Sequence, residues 1–114
     1  MGGYDLVGPI TERQLEEIHV DKCFQGADGI DPHTAYYTTD FKLARVAQAM
    51  IGAAQRTIVV ADHTKFARKS LAPFARIEEA DRIITSAGID EATVQILTQK
   101  RVPVVVTPQK GETL

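Results

Sequence analysis

Tryptophan is absent from these 114 residues, and cysteine occurs once. A lone Cys23 excludes an internal disulfide framework and any cysteine-rich zinc site. No apolar run approaches the roughly 18–20 residues that cross a bilayer. No basic, apolar, small-residue leader opens the chain, so a reduced, cytoplasmic setting without membrane contact is expected. Cationic excess is missing too: 13 Lys and Arg stand against 15 Asp and Glu, a net charge of −2. That balance excludes the whole chain as a nucleic-acid grip. The charge is uneven, with two basic and eight acidic residues in 1–40 and eleven and seven in 41–114. Neither part has a dense basic run, so solvated faces are the expectation. No GxGxxG or Walker pattern is present, which argues against a nucleotide. His19, His33 and His63 share no spacing that suggests a metal, and no cofactor is expected.

What is present is a hydrophobic content of 44 % and a charged content of 25 %, the composition of one folded domain. Thr11 with Gln14 forms a capping box, and Ile10 with Leu15 a hydrophobic staple, for a surface helix ending near His19. Residues 22–27 read as a short strand, with Cys23 an inert core thiol. Asp28-Gly29-Ile30-Asp31-Pro32 has the composition of a polar turn. Thr39 or Asp40 caps a helix from Phe41 to Ala54, whose one narrow polar stripe predicts burial over most of its circumference. Thr57-Ile58-Val59-Val60-Ala61 is a β-branched run without alternation, the pattern of a strand covered on both faces. Arg82–Thr85 is a second such strand. Asp90 caps a last helix, with Ile89 and Val94 as its staple. Val102–Thr107 is a final strand, where Pro103 suits a strand start or an edge. Residues 109–114 read as a loose tail. Strands and helices alternate, so the fold class is α/β with a mostly parallel sheet, of four strands and three or four helices.

Ligands of open parallel sheets bind at the carboxyl ends of strands. Gly26 to Asp31 and Asp62 to Phe66 both fall there, and Thr85 and Ser86 end a third strand. Asp28, Asp31 and Lys65 are thereby candidates for one crevice, where carboxylates accept sugar hydroxyl protons and a lysine holds an anionic oxygen. Asp28, Asp31 and Asp62 are equally good formers of local turns, and Lys65 an ordinary surface lysine.

Four strings carry a resemblance: Asp21-Lys22-x-Phe24-x-Gly26-Ala27-Asp28-Gly29-Ile30-Asp31, Ala49-Met50-Ile51-x-Ala53-Ala54, Val60-Ala61-Asp62-His63-Thr64-Lys65-Phe66 and Ala80-Asp81-x-Ile83-Ile84-Thr85. In this order and spacing the chain resembles the effector domain of DeoR-family bacterial repressors, from about Gly2 to Thr107. The resemblance implies a C-terminal domain that senses a phosphorylated sugar or derivative. Operator DNA is then met by an N-terminal winged helix-turn-helix that this chain lacks. Residues 1–108 would be the C-terminal part of the sensor domain. The domain is also similar to type A ribose-5-phosphate isomerase, which implies a three-layer Rossmann-like sheet of the isomerase/CoA-transferase kind, here in part. At positions matching that enzyme's pattern stand Asp28 and Asp31 for the sugar and Lys65 as a ligand lysine; Gly26 and Asp62 belong to the same motifs. The enzyme's glycine-rich loop is replaced by Tyr36-Tyr37-Thr38-Thr39, and its glutamate base falls on or near Ala47. Isomerisation needs a base within reach of a carbon-bound proton, so binding without catalysis is the expectation. Closure of the Ile30–Thr39 loop over the ligand would relay occupancy to a subunit contact in a homo-oligomer. The alternatives are a small sugar-phosphate isomerase relative and an oligomerisation domain with a decayed ligand site.

Overall fold

The computed structural model describes residues 20–108; the capping box at Thr11 and the tail 109–114 lie outside them. Strand β1 (Val20–Gly26) is followed by β2 (Gly29–Asp31), β3 (Ala35–Thr38), α1 (Phe41–Ala53) and β4 (Ala54–Val60). Then come a 3-10 turn (His63–Lys65), β5 (Ala72–Arg76), a second 3-10 turn (Ile77–Glu79), β6 (Arg82–Ser86), α2 (Glu91–Gln99) and β7 (Val104–Thr107). The fold class is α/β. Strands β1-β4-β6-β7 form a sheet in which every pair is parallel, and β2-β3-β5 form a small antiparallel sheet.

Local chemistry accounts for the helices. Asp40 accepts from the backbone N–H groups of Lys42 and Leu43 at 2.6 and 3.3 Å, and Asp90 accepts from Thr93 N at 2.7 Å. Both side chains satisfy orphan donors of a first turn. Strand order follows chain order across the parallel sheet, so its connections all step in one direction. Right-handed crossovers then place them on a single face. That face holds the core: Val59, Ile83, Leu97 and Val102 pack with Ala44 and Ala47 of α1. On the opposite face the register aligns Phe24, Val60 and Val105, which are 60, 44 and 43 % exposed. At the amino end of the sheet Asp81 clamps β4 to β6. It accepts from Thr57 N at 2.7 Å, and its own N–H donates to Thr57 O at 2.8 Å.

Several expectations are corrected. Asp28–Pro32 is not simply a turn, and Ile30–Thr39 is not a loop free to close. Gly29–Asp31 pairs with Ala35–Tyr37 as a hairpin, and β5 adds a third strand. Burial drives this pairing. Ile30 and Tyr36 are fully inaccessible, Tyr36 stacks on Phe74 with ring centroids 6.0 Å apart, and its hydroxyl donates to Ile77 O at 3.1 Å. The described chain thus has seven strands rather than four. Helix α1 ends at Ala53, and of its residues only Ala44, Ala47 and Ala53 are buried, while Phe41 and Leu43 are exposed. A helix packed on one layer buries one stripe, whatever its other residues are. In β4 the consecutive Thr57, Ile58 and Val59 are buried, as expected of a strand covered on both faces, and only Val60 at its end stands exposed among Thr57–Ala61. Cys23 is buried as expected, and burial pushes its thiol pKa up.

Candidate ligand site

Parallel pairing brings the carboxyl ends of β1, β4 and β6 to one edge. Gly26 is the last residue of β1 and sits beside Val60, the last of β4. The first polar segment, Ala27-Asp28, leaves that edge for the hairpin. The second, Asp62 to Lys65, leaves it as the 3-10 turn. The two segments stay together beyond the sheet: Ile30 bridges Phe66, and Ala67 N–H donates to Ile30 O at 3.0 Å. Gly29 makes this approach possible, because a Cβ there would lie 2.6 Å from Arg68 O.

Asp28 is half-buried and oriented by the hairpin. Its N–H donates to Tyr37 O at 2.8 Å, and its Oδ2 accepts from the buried Thr38 hydroxyl at 3.1 Å. One hydrogen bond leaves a carboxylate most of its acceptor capacity. Asp31, three residues on, serves its own turn. Its Oδ1 accepts from His33 N at 3.0 Å, and Lys69 Nζ stands 3.8 Å from Oδ2. The His33 N–H is the chief cause that holds the Asp31 carboxyl below its usual range. Asp62 caps the 3-10 turn, accepting from Thr64 N at 3.0 Å and from Ser86 Oγ at 3.3 Å. Thr64 N–H first, then the nearby His63 and Ser86, keep its carboxyl ionised to lower pH than usual. Lys65 closes the turn through its backbone, N–H to Asp62 O at 3.0 Å. Among the described residues its ammonium has no hydrogen-bond or ion-pair partner. Gly26 is exposed, and a Cβ there would meet only Val60 O at 4.0 Å.

The edge therefore combines a half-buried carboxylate, a second carboxylate held ionised and an ammonium without a partner among the described residues. Such a set accepts hydroxyl protons and attracts an anionic oxygen. Sequence reasoning missed Thr38, which orients Asp28, and the contact of His63 with Ser86 (Nδ1 to Oγ, 2.8 Å). Only strand register could have revealed either pairing. Ala47, on or near which the resemblance would put the isomerase's base, is buried in α1. No group of three or more metal-ligating side chains occurs among the described residues. No described helix is long and apolar enough to cross a membrane.

The family model described as "DeoR C terminal sensor domain" matches residues 3–87. The chain is similar to the uncharacterized HTH-type transcriptional regulator YulB of Bacillus subtilis, 34 % identical over 90 % of this chain and 40 % of that protein. It is similar to the transcriptional repressor AccR of Agrobacterium fabrum, 42 % identical over 71 % of this chain and 32 % of the repressor. It is also similar to a putative aga operon transcriptional repressor of Escherichia coli O157:H7, 33 % identical over 87 % of this chain and 37 % of its relative. The chain thus spans two-fifths or less of each of these regulators. With three quarters of its residues inside the sensor-domain match, the chain belongs to the DeoR family of transcriptional regulators, in their C-terminal sensor domain.

Proposed function

We propose that residues 1–108 form the effector-binding part of a DeoR-type repressor and that the effector is a phosphorylated sugar or sugar derivative. The supporting observation is one edge carrying both Asp28, held by Thr38, and Lys65, whose ammonium has no partner among the described residues. Asp28 takes sugar hydroxyls, and Lys65 meets a phosphate oxygen. Gly26 and Asp62 line the same strand ends. Asp31 joins them by releasing Lys69, an exposed lysine whose 3.8 Å pairing is worth about 1 kcal/mol or less. The site binds without transforming, because Ala47 offers no base for proton abstraction. Operator DNA is met by a helix-turn-helix domain outside these 114 residues, and repressor copies associate as a homo-oligomer. Ligand binding releases the operator only by its difference in affinity between two arrangements of those copies, typically about 1–3 kcal/mol.

Titration calorimetry with ribose 5-phosphate and with ribose tests the site. A charge-assisted hydrogen bond is worth about 1.5–3 kcal/mol, so Lys65→Ala should weaken ribose 5-phosphate binding roughly 10- to 100-fold. Asp28→Ala should weaken both ligands, whereas Lys65→Ala should leave ribose unaffected. Unchanged affinity for ribose 5-phosphate in both variants would refute the assignment.

A further inference from the structure

Between the carboxyl ends of β4 and β6 sits a polar cluster of His63, Ser86 and Asp62. Ser86 Oγ accepts from His63 N at 2.9 Å, lies 2.8 Å from His63 Nδ1, and lies 3.3 Å from Asp62 Oδ1. Nδ1 is itself 3.3 Å from Asp62 Oδ1. The serine has one hydrogen to give. If it went to a bare Nδ1, Asp62 Oδ1 would face both Ser86 Oγ and the ring nitrogen with no hydrogen between them. If Nδ1 carries the hydrogen, it donates to Ser86, Ser86 donates to Asp62, and every contact is satisfied. The network therefore assigns the proton to Nδ1.

Nε2 is left over. Gly88, at φ +119°, packs on the ring: an ideal Cβ there would lie 2.7 Å from Nε2 and 2.8 Å from both Cδ2 and Cε1. Near-equal distances to three ring atoms put that point over the ring face, not beyond Nε2 in the ring plane. Gly88 therefore does not block the in-plane direction of Nε2. Among the described residues Nε2 has no hydrogen-bond partner, and the side chain is 38 % exposed.

We propose that His63 is a further ligand contact of this site, with Nε2 meeting an anionic oxygen of the ligand and Ser86 and Asp62 positioning the ring. The proposal rests on the reading of the site as a phosphorylated-sugar pocket. A protonated ring donates a charge-assisted hydrogen bond; a neutral one presents a lone pair to the same oxygen and repels it. The groups facing the ring are few. Asp62 stands beside it on its own turn, with Oδ1 3.3 Å from Nδ1. Ser86 and the Gly88 backbone meet it from the end of β6. Asp90, further along that connection, is engaged at the α2 cap. Lys65 shares the turn and supplies the pH-independent part of the anion's attraction.

Sulfate is the discriminating probe, because its charge does not change where histidine titrates, whereas a phosphate monoester ionises near pH 6. The unmutated chain should bind sulfate about 3- to 10-fold more tightly at pH 5.5 than at pH 8. His63→Gln should lose the rise, binding sulfate no more tightly at pH 5.5 than at pH 8. In the unmutated chain, the NMR titration midpoint of the His63 Cε1–H should be higher in sulfate than in chloride. An unchanged midpoint, or the same pH profile in His63→Gln, overturns the inference; if Lys65→Ala still abolishes sulfate binding, the phosphate-site reading stands without it. If neither sulfate nor ribose 5-phosphate binds the unmutated chain, both fall together.

Discussion

Replacing Gly29 by alanine is expected to destabilise the folded chain by about 3 kcal/mol or more, the upper end of overpacking effects. The added Cβ would lie 2.6 Å from Arg68 O, 3.1 Å from Arg68 C and 3.2 Å from Ser70 N. All three are backbone atoms, so no rotamer change relieves the contact. Nor can the segment simply withdraw, because Ala67 N–H is bonded to Ile30 O and Phe66 bridges Ile30. In a domain of this size each kcal/mol moves the melting midpoint by roughly 4–8 °C, so a drop of at least about 12 °C should be seen. Gly52 is the control. A Cβ there meets nothing within 4 Å, and alanine in an exposed helix position should stabilise by up to about 1 kcal/mol. A Gly29→Ala midpoint within a few degrees of the unmutated chain would show that the two polar segments are not held as closely as described.

Tyr36→Ala should cost about 3–5 kcal/mol, as for other large aromatic truncations in a core. The side chain is fully buried at the centre of the hairpin, stacks on Phe74 and donates to Ile77 O. That carbonyl belongs to the turn whose N–H bonds Thr34 O at 3.1 Å, so the phenol pins the hairpin to the segment leading into β6. Tyr36→Phe separates the contributions. It keeps the ring and removes one hydrogen bond, while Ile77 O still accepts from Ala80 N at 3.3 Å, for a cost of about 0.5–1.5 kcal/mol. Urea unfolding of both variants measures the difference. Equal losses in the two would mean that the ring's packing contributes nothing.

The parallel sheet was legible because its signal is local. The β-branched runs at Thr57–Val60 and Arg82–Thr85 need no partner to be read as strands, and Asp40 and Asp90 mark helix starts by chemistry alone. The hairpin was not legible, since Gly29-Ile30-Asp31 has the composition of a turn. It becomes a strand because Ile30 pairs with Tyr36, which pairs in turn with Ala75 of β5, far along the chain. In β5 a trace existed: buried Ala72 and Phe74 alternate with exposed Pro73 and half-buried Ala75, but the proline masks it. For the site, strand-end position pointed to Asp28 and Lys65. The Thr38–Asp28 bond and the Ser86–His63 contact span 10 and 23 residues and are products of register, which no single stretch encodes.

The phenol that pins the hairpin also makes the protein sensitive to alkali, and without tryptophan the effect can be followed in the tyrosine ultraviolet band. Burial is the chief cause that pushes the Tyr36 pKa well above its usual value of 10.0. Below pH 10 the folded and unfolded chains both keep this proton, and its position has no bearing on stability. Above pH 10 the unfolded chain sheds it first, so the balance tips further toward unfolding with each step in pH. The phenolate absorbance of Tyr36 should therefore emerge together with loss of near-ultraviolet dichroism, not ahead of it.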